Sequence, residues 1–176
     1  MDRDDELTHL DRDGQARMVD VGEKNKTARE ARARATLRMA PETRRVLRSG
    51  EVPKGDALAT ARIAGIQAAK QTPALIPLCH PISLNRVLLR SVLRPGDHSV
   101  EVFCVAEIAE KTGVEMEALT GLSVALLTIW DLSKPVNPAL EITGQRLLFK
   151  SGGKHGTWLH PDGLPAEVEA IIAALD

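Results

Sequence analysis

Apolar and polar residues alternate through ARARATLRM, Ala31 to Met39, the period of a strand with one buried face and one wet face. Pro41 suits a first helical turn and Gly50 a helix end, so a short helix is predicted from Pro41 through Arg48. Asp56 can cap a second helix that runs to Lys70 and is rich in Ala, which allows close packing against a neighbour. Pro73, Pro77 and Pro81 exclude ordinary helix interior and make LIPLCHP, Leu75 to Pro81, a rigid extended loop. Ile82 to Leu93 and Ser99 to Ile108 read as strands joined by a turn at Pro95-Gly96-Asp97. A long apolar helix spans Val114 to Lys134 and stops at Pro135. Leu140 to Lys150 is a further strand, and SGGKHG, Ser151 to Gly156, a flexible loop. Arg17 to Val21 is a short strand candidate. Leu164, Val168, Ile171, Ile172 and Leu175 repeat at helical spacing and need cover. The order predicts one α+β domain over residues 1–176, an antiparallel sheet with helices packed on one face.

Composition narrows this picture. Aromatic residues make up only 2% of the chain and Tyr is absent, so the core is aliphatic and oligomerisation would add buried area. A net charge of -1 argues against nucleic acid as a partner. Cys79 and Cys104 show no paired spacing, and the opening MDRDDELTHLDRDG is too charged for a signal peptide, so a cytoplasmic protein is expected. The apolar run Leu119 to Trp130 is too short to span a membrane, and no membrane partner is expected.

Several residues could carry chemistry. His80, braced by prolines, could move a proton or simply satisfy a backbone group. Cys79 has no CxxC or HxxxH partner, so no metal site is expected; Cys104 reads as core. Asp131 and Lys134 share a helix face, either as a solvated ion pair or as groups in a cleft. Glu117 lies on nearly the same stripe, while Glu115 points away from it. Glu117 and Asp131 are about 21 Å apart along one helix, so a single small pocket within one chain cannot hold both. Two such helices packed antiparallel about a two-fold axis would bring Glu117 of one chain near Asp131 of the other. Lys150-Ser-Gly-Gly-Lys154 lacks P-loop spacing but can grip phosphate or hang as a flexible segment. Lys54, Lys70, Lys134, Lys150 and Lys154 together suit a polyanion such as a triphosphate.

MVDV (Met18 to Val21), KGDALATARIAGIQAAK (Lys54 to Lys70), LIPLCHP, KTGVEMEALTGLSVALLTIWDLSK (Lys111 to Lys134) and KSGGK together resemble the molybdenum-cofactor biosynthesis protein C (MoaC) family. The resemblance covers residues 7–156 as a family core, with 157–176 as a C-terminal extension. It implies a ferredoxin-like fold and a homo-hexamer built as a trimer of dimers, with the site at the dimer interface. It implies the reaction of 3′,8-cyclo-7,8-dihydroguanosine triphosphate to cyclic pyranopterin monophosphate and pyrophosphate. No cofactor is implied beyond Mg2+ accompanying the triphosphate. Lys54, Asp131 and Lys134 match catalytic positions; Leu78, Cys79, His80, Met116 and Glu117 match substrate-binding segments. Glu115, Lys70, Lys150 and Lys154 are added here as binding candidates. The sequence departs from the family where Pro135 follows Lys134, a place where Ala is more usual, and this could shift the ammonium. The competing reading is an oligomeric protein that binds an anionic nucleotide without turning it over, which needs the lysines but not the Asp131-Lys134 pair.

Overall fold

The computed structural model describes residues 10–11, 13–94 and 96–174. The elements follow as β1 (Thr27–Arg38), α1 (Pro41–Ser49), α2 (Ala57–Lys70), α3 (Thr72–Leu75), β2 (Arg86–Arg94), β3 (Ser99–Glu110), α4 (Glu115–Ser133), β4 (Glu141–Ser151), β5 (Trp158–Leu159) and α5 (Ala166–Ala173). The strands form one antiparallel sheet in the order β2-β3-β1-β4-β5. Taken as β1-α2-β2-β3-α4-β4, this is the split β-α-β arrangement of a ferredoxin-like α+β fold.

The alternation in β1 does what its period dictates. Ala31, Ala33, Ala35 and Leu37 are buried beneath the helices, while Arg32, Arg34 and Thr36 face the other way. Against the alanines pack Val100, Val102 and Cys104 of β3 and Leu122, Ala125, Leu126 and Ile129 of α4. By length and composition α4 is apolar enough to cross a membrane; its buried Leu122, Leu126 and Ile129 make it the core helix here. The helices α2 and α4 run antiparallel, since Gly65 meets Ala125 and Gly121 meets Ala69. Neither crossing glycine has room for a side chain: a Cβ on Gly65 would stand 2.7 Å from the Gly121 carbonyl oxygen. This contact sets how the two ends of α4 meet their neighbours.

Helix ends follow the sequence signals. Gly50 ends α1 at φ 74°, and the Asp56 carboxylate accepts from the Leu58 and Ala59 amides. Lys134 keeps helical backbone angles in front of Pro135, and its amide still donates to the Trp130 carbonyl.

Four features differ from the expectations. Arg17 to Val21 is not a strand but an irregular segment; both neighbours of β1 are already β3 and β4, and this stretch is held by the His80 side chain at Val19 and, just beyond it, by that of Lys111 at Gly22. Leu75 closes the one-turn helix α3, entered through Pro73 in its first turn. β2 begins at Arg86 and not Ile82, because the Asn85 side chain takes the Ala109 amide and ends the ladder. β5 has no periodic signal in two residues. It pairs with β4 and leads into α5, whose Val168 packs with Phe103 and Leu148 on the sheet face opposite α4. Residues 1–9, Pro95 and Leu175 lie outside the described residues, as do the side chains of Ile171 and Ile172.

Candidate active site

One cluster sits at the C-terminal end of α4. Lys54 is carried by the turn before α2, where Gly55 adopts φ 98° and its amide donates to the Val52 carbonyl. The Lys54 ammonium reaches the Asp131 Oδ2 at 3.2 Å and the Asp131 carbonyl at 3.3 Å. The Lys134 ammonium lies 2.7 Å from Asp131 Oδ1. Hydrogen bonds from Lys134 and then Lys54, with the charges of both, hold the Asp131 carboxyl below its ordinary range. Pro135 has not separated Lys134 from Asp131. The three groups are about half exposed, so they form the wall of an open site.

A second cluster sits at the other end of α4. Leu78, Cys79 and His80 of the proline-braced loop, Met116 and Glu117 of α4, and Val19 and Val21 of the irregular segment line a cleft of about 280 Å3. The His80 Nε2 donates to the Val19 carbonyl at 2.7 Å, and the Lys111 ammonium donates to the Gly22 carbonyl at 2.6 Å. These bonds hold the segment against the cleft. Glu117 is only 3% exposed, and burial pushes its carboxyl up to about 7 against its own backbone hydrogen bond, with the charge of Glu115 adding to the rise. Burial, and then the nearby Glu117, also raises the Cys79 thiol. Cys104 is buried in the core, its thiol pushed up to about 12 by burial.

Thr112, Gly113 and Glu115 join this cleft to a basic hollow of about 290 Å3 lined by Arg29, Lys150, Gly152, Lys154 and His155. The loop takes this shape because Gly152 and Gly153 adopt φ 91° and 78°; side chains there would strike the Ala28 carbonyl and the Arg29 guanidinium. Glu115 Oε1 stands 3.1 Å from the Lys150 ammonium.

The structure therefore brings together Leu78, Cys79, His80, Glu115, Met116, Glu117, Lys150 and Lys154 at one end of α4, and Lys54, Asp131 and Lys134 at the other. Lys70 ends α2 on the Glu117 side, exposed, and lines neither half of the cleft. Sequence reasoning missed Arg29, Thr112, Gly113 and His155, and also Lys24, which lines the cleft beside Val21. Arg29 was legible in principle, since pairing of Glu30 with Ser151 sets it beside the glycine loop. Among the described residues no three His, Cys, Asp or Glu side chains gather as a metal site.

A chain with an organic cleft opening into a basic hollow, and an acid flanked by two ammoniums, can bind a phosphorylated heterocycle and move protons. The MoaC family model matches residues 18–153, well over half of the chain. The chain is 52% identical over 155 residues to the cyclic pyranopterin monophosphate synthase of Roseiflexus sp. (strain RS-1), covering 88% of this chain and 98% of the relative. It is 53% identical over 157 residues to the synthase of that name from Streptomyces coelicolor, covering 89% and 91%. With that of Chloroflexus aurantiacus (strain ATCC 29366 / DSM 635 / J-10-fl) the identity is 49% over 156 residues, covering 89% and 96%. The match spans both clusters and the glycine loop: this chain belongs to the MoaC family.

Proposed function

We propose that this chain is a cyclic pyranopterin monophosphate synthase of molybdenum cofactor biosynthesis. It converts 3′,8-cyclo-7,8-dihydroguanosine 5′-triphosphate to cyclic pyranopterin monophosphate and pyrophosphate. The observation that carries the reading is the Lys54–Asp131–Lys134 cluster, an anionic carboxylate bridging two ammoniums within 3.2 Å. A protein that only binds an anion has no need of it.

The heterocycle lies among Leu78, Cys79, His80, Met116 and Glu117, and the triphosphate among Lys150, Lys154 and the glycine amides. Lys54 and Lys134 serve as general acid and base during opening of the purine ring and closure of the pterin ring. Asp131 orients both. A sugar hydroxyl oxygen then bonds to the α-phosphorus. The bond from that phosphorus to its bridging oxygen breaks, pyrophosphate leaves with the electron pair, and the hydroxyl proton passes to a lysine amine. Cations and amides around the phosphates neutralise the leaving charge. Mg2+ enters, where it does, with the triphosphate as part of the substrate.

One complete site needs both ends of α4, and within a chain these are about 21 Å apart. A stripe of Met116, Leu119, Ser123, Leu127 and Trp130 runs between them, with Leu127 55% exposed. Two chains packed antiparallel along this stripe cover it and set Glu117 of one protomer opposite Lys54 and Asp131 of its partner. The reading therefore includes a dimer as the catalytic unit, assembled into a trimer of dimers. The two free cysteines suit the reducing cytoplasm. The direct test is incubation with the cyclised nucleotide and chromatographic detection of the pyranopterin. Absence of product from correctly assembled protein would overturn the assignment.

A further inference from the structure

The basic hollow contains its own anion. Glu115 opens α4, and its carboxylate folds back across Gly113 to reach Lys150 at 3.1 Å. It can lie there only because residue 113 is glycine; a Cβ would overlap the carboxylate. Glu115 borders both halves of the cleft, so it stands where the heterocycle passes into the phosphate chain. The other acid of the hollow, Glu30, is engaged by Arg32 two residues further along β1. The remaining charged or titratable groups there are Arg29, Lys154 and His155. Glu115 is thus the acid that competes directly with an incoming phosphate for Lys150. A carboxylate that helped to hold phosphate would need a donor or a cation between the two anions. Here it occupies the ammonium itself.

We infer that Glu115 is a displaceable counter-ion of Lys150, which yields the ammonium to a phosphate chain and reclaims it to speed release of pyrophosphate. The identity of the released anion rests on the proposed function; the competition for Lys150 does not. Such a group weakens ground-state binding of every phosphate ligand and keeps the product from staying in the hollow. The charge of Glu115 also adds to the raised carboxyl of Glu117, a rise that comes first from burial.

Calorimetric titration with inorganic pyrophosphate, free of divalent metal and at fixed ionic strength, tests this on the whole chain. Glu115→Gln should bind pyrophosphate about tenfold more tightly than the unaltered protein, as removal of one unit charge from a partly exposed site implies. Gly113→Ala should act in the same direction by displacing the carboxylate while keeping its charge. Neither gain should survive in a Lys150→Ala background. In turnover, Glu115→Gln should show stronger inhibition by pyrophosphate and a lower kcat with an unchanged or lower KM. Equal or weaker pyrophosphate binding in Glu115→Gln overturns the inference, as does a gain that persists without Lys150. The two readings fail separately. Tighter binding in a protein that makes no pyranopterin sinks the proposed function alone. Normal product formation with unaltered pyrophosphate affinity sinks the counter-ion alone.

Discussion

At the scale of single residues, Asp131 and Glu117 are two carboxylates pushed in opposite directions by their surroundings. Asp131 is half exposed and held low by hydrogen bonds from Lys134 and Lys54. Glu117 is buried and held high, at about 7. In the proposed function the first is a fixed anion between two proton-carrying amines. Lys54→Ala, Asp131→Ala and Lys134→Ala should each leave the fold intact by circular dichroism and lower kcat at least about a hundredfold, the usual size of a general acid or base contribution. Near-normal rates in all three would refute the assigned roles. Glu117 carries a pH signature of its own. Its folded carboxyl titrates higher than in the unfolded chain, so the folded state binds the extra proton between about 4.5 and 7. Stability from this group is fully present below that window and is lost as pH rises through it. Glu117→Gln should therefore gain on the unaltered protein as pH climbs from 4.5 to 7, by several degrees in Tm, and hold that gain above 7. A difference in Tm that stays flat with pH would show that Glu117 ionises freely in the fold.

At the scale of elements, α2 and α4 are pressed together by what their sequences lack. Gly65 and Gly121 face each other, and a Cβ on Gly121 would lie 2.9 Å from the Gly65 carbonyl oxygen and 3.2 Å from the Ala69 Cβ. Gly121→Ala should cost about 1–3 kcal/mol in urea unfolding, the range for overpacking a close contact, despite the better helix propensity of alanine. A stabilised variant would mean that the helices can part without loss. The long elements were legible because their patterns are sustained: the alternation from Ala31 to Met39 in and after β1 and nineteen helical residues in α4 leave little ambiguity. Caps at Asp56 and Gly50 were legible because each has a local chemical cause. The failures share one property, that tertiary partners decide them. MVDV looks like a strand, but β1 is already paired on both sides, so the Val19 carbonyl goes to His80 and that of the following Gly22 to Lys111. Trp158–Leu159 becomes β5 only because β4 offers it an edge.

At the scale of the whole molecule, the family resemblance named the candidate residues, and the length of α4 already put Glu117 and Asp131 too far apart for one small pocket within a chain. The chain holds the cleft around His80 and Glu117 and the basic hollow at one end of α4 and the Lys54–Asp131–Lys134 cluster at the other. The basic hollow was only half visible, because Arg29 reaches it by strand pairing and not by sequence proximity. If a protomer pair supplies one complete site at each end of paired α4 helices, each site takes Lys54 from one chain and Glu117 from the other. Lys54→Ala and Glu117→Ala chains are then each inactive alone but complementary when mixed. In a hetero-dimer of the two, one site combines the intact Lys54 with the intact Glu117, and the other collects both lesions. Random pairing makes half of the dimers mixed, and half of the sites in these are intact, so about a quarter of full activity should return. Mixed pairs can be isolated by two affinity tags after co-expression, which removes doubt about exchange. Activity near half per purified mixed dimer fits the composite site. No recovery in such pairs would place Lys54 and Glu117 in the same chain's site, and the antiparallel packing of α4 would have to be abandoned.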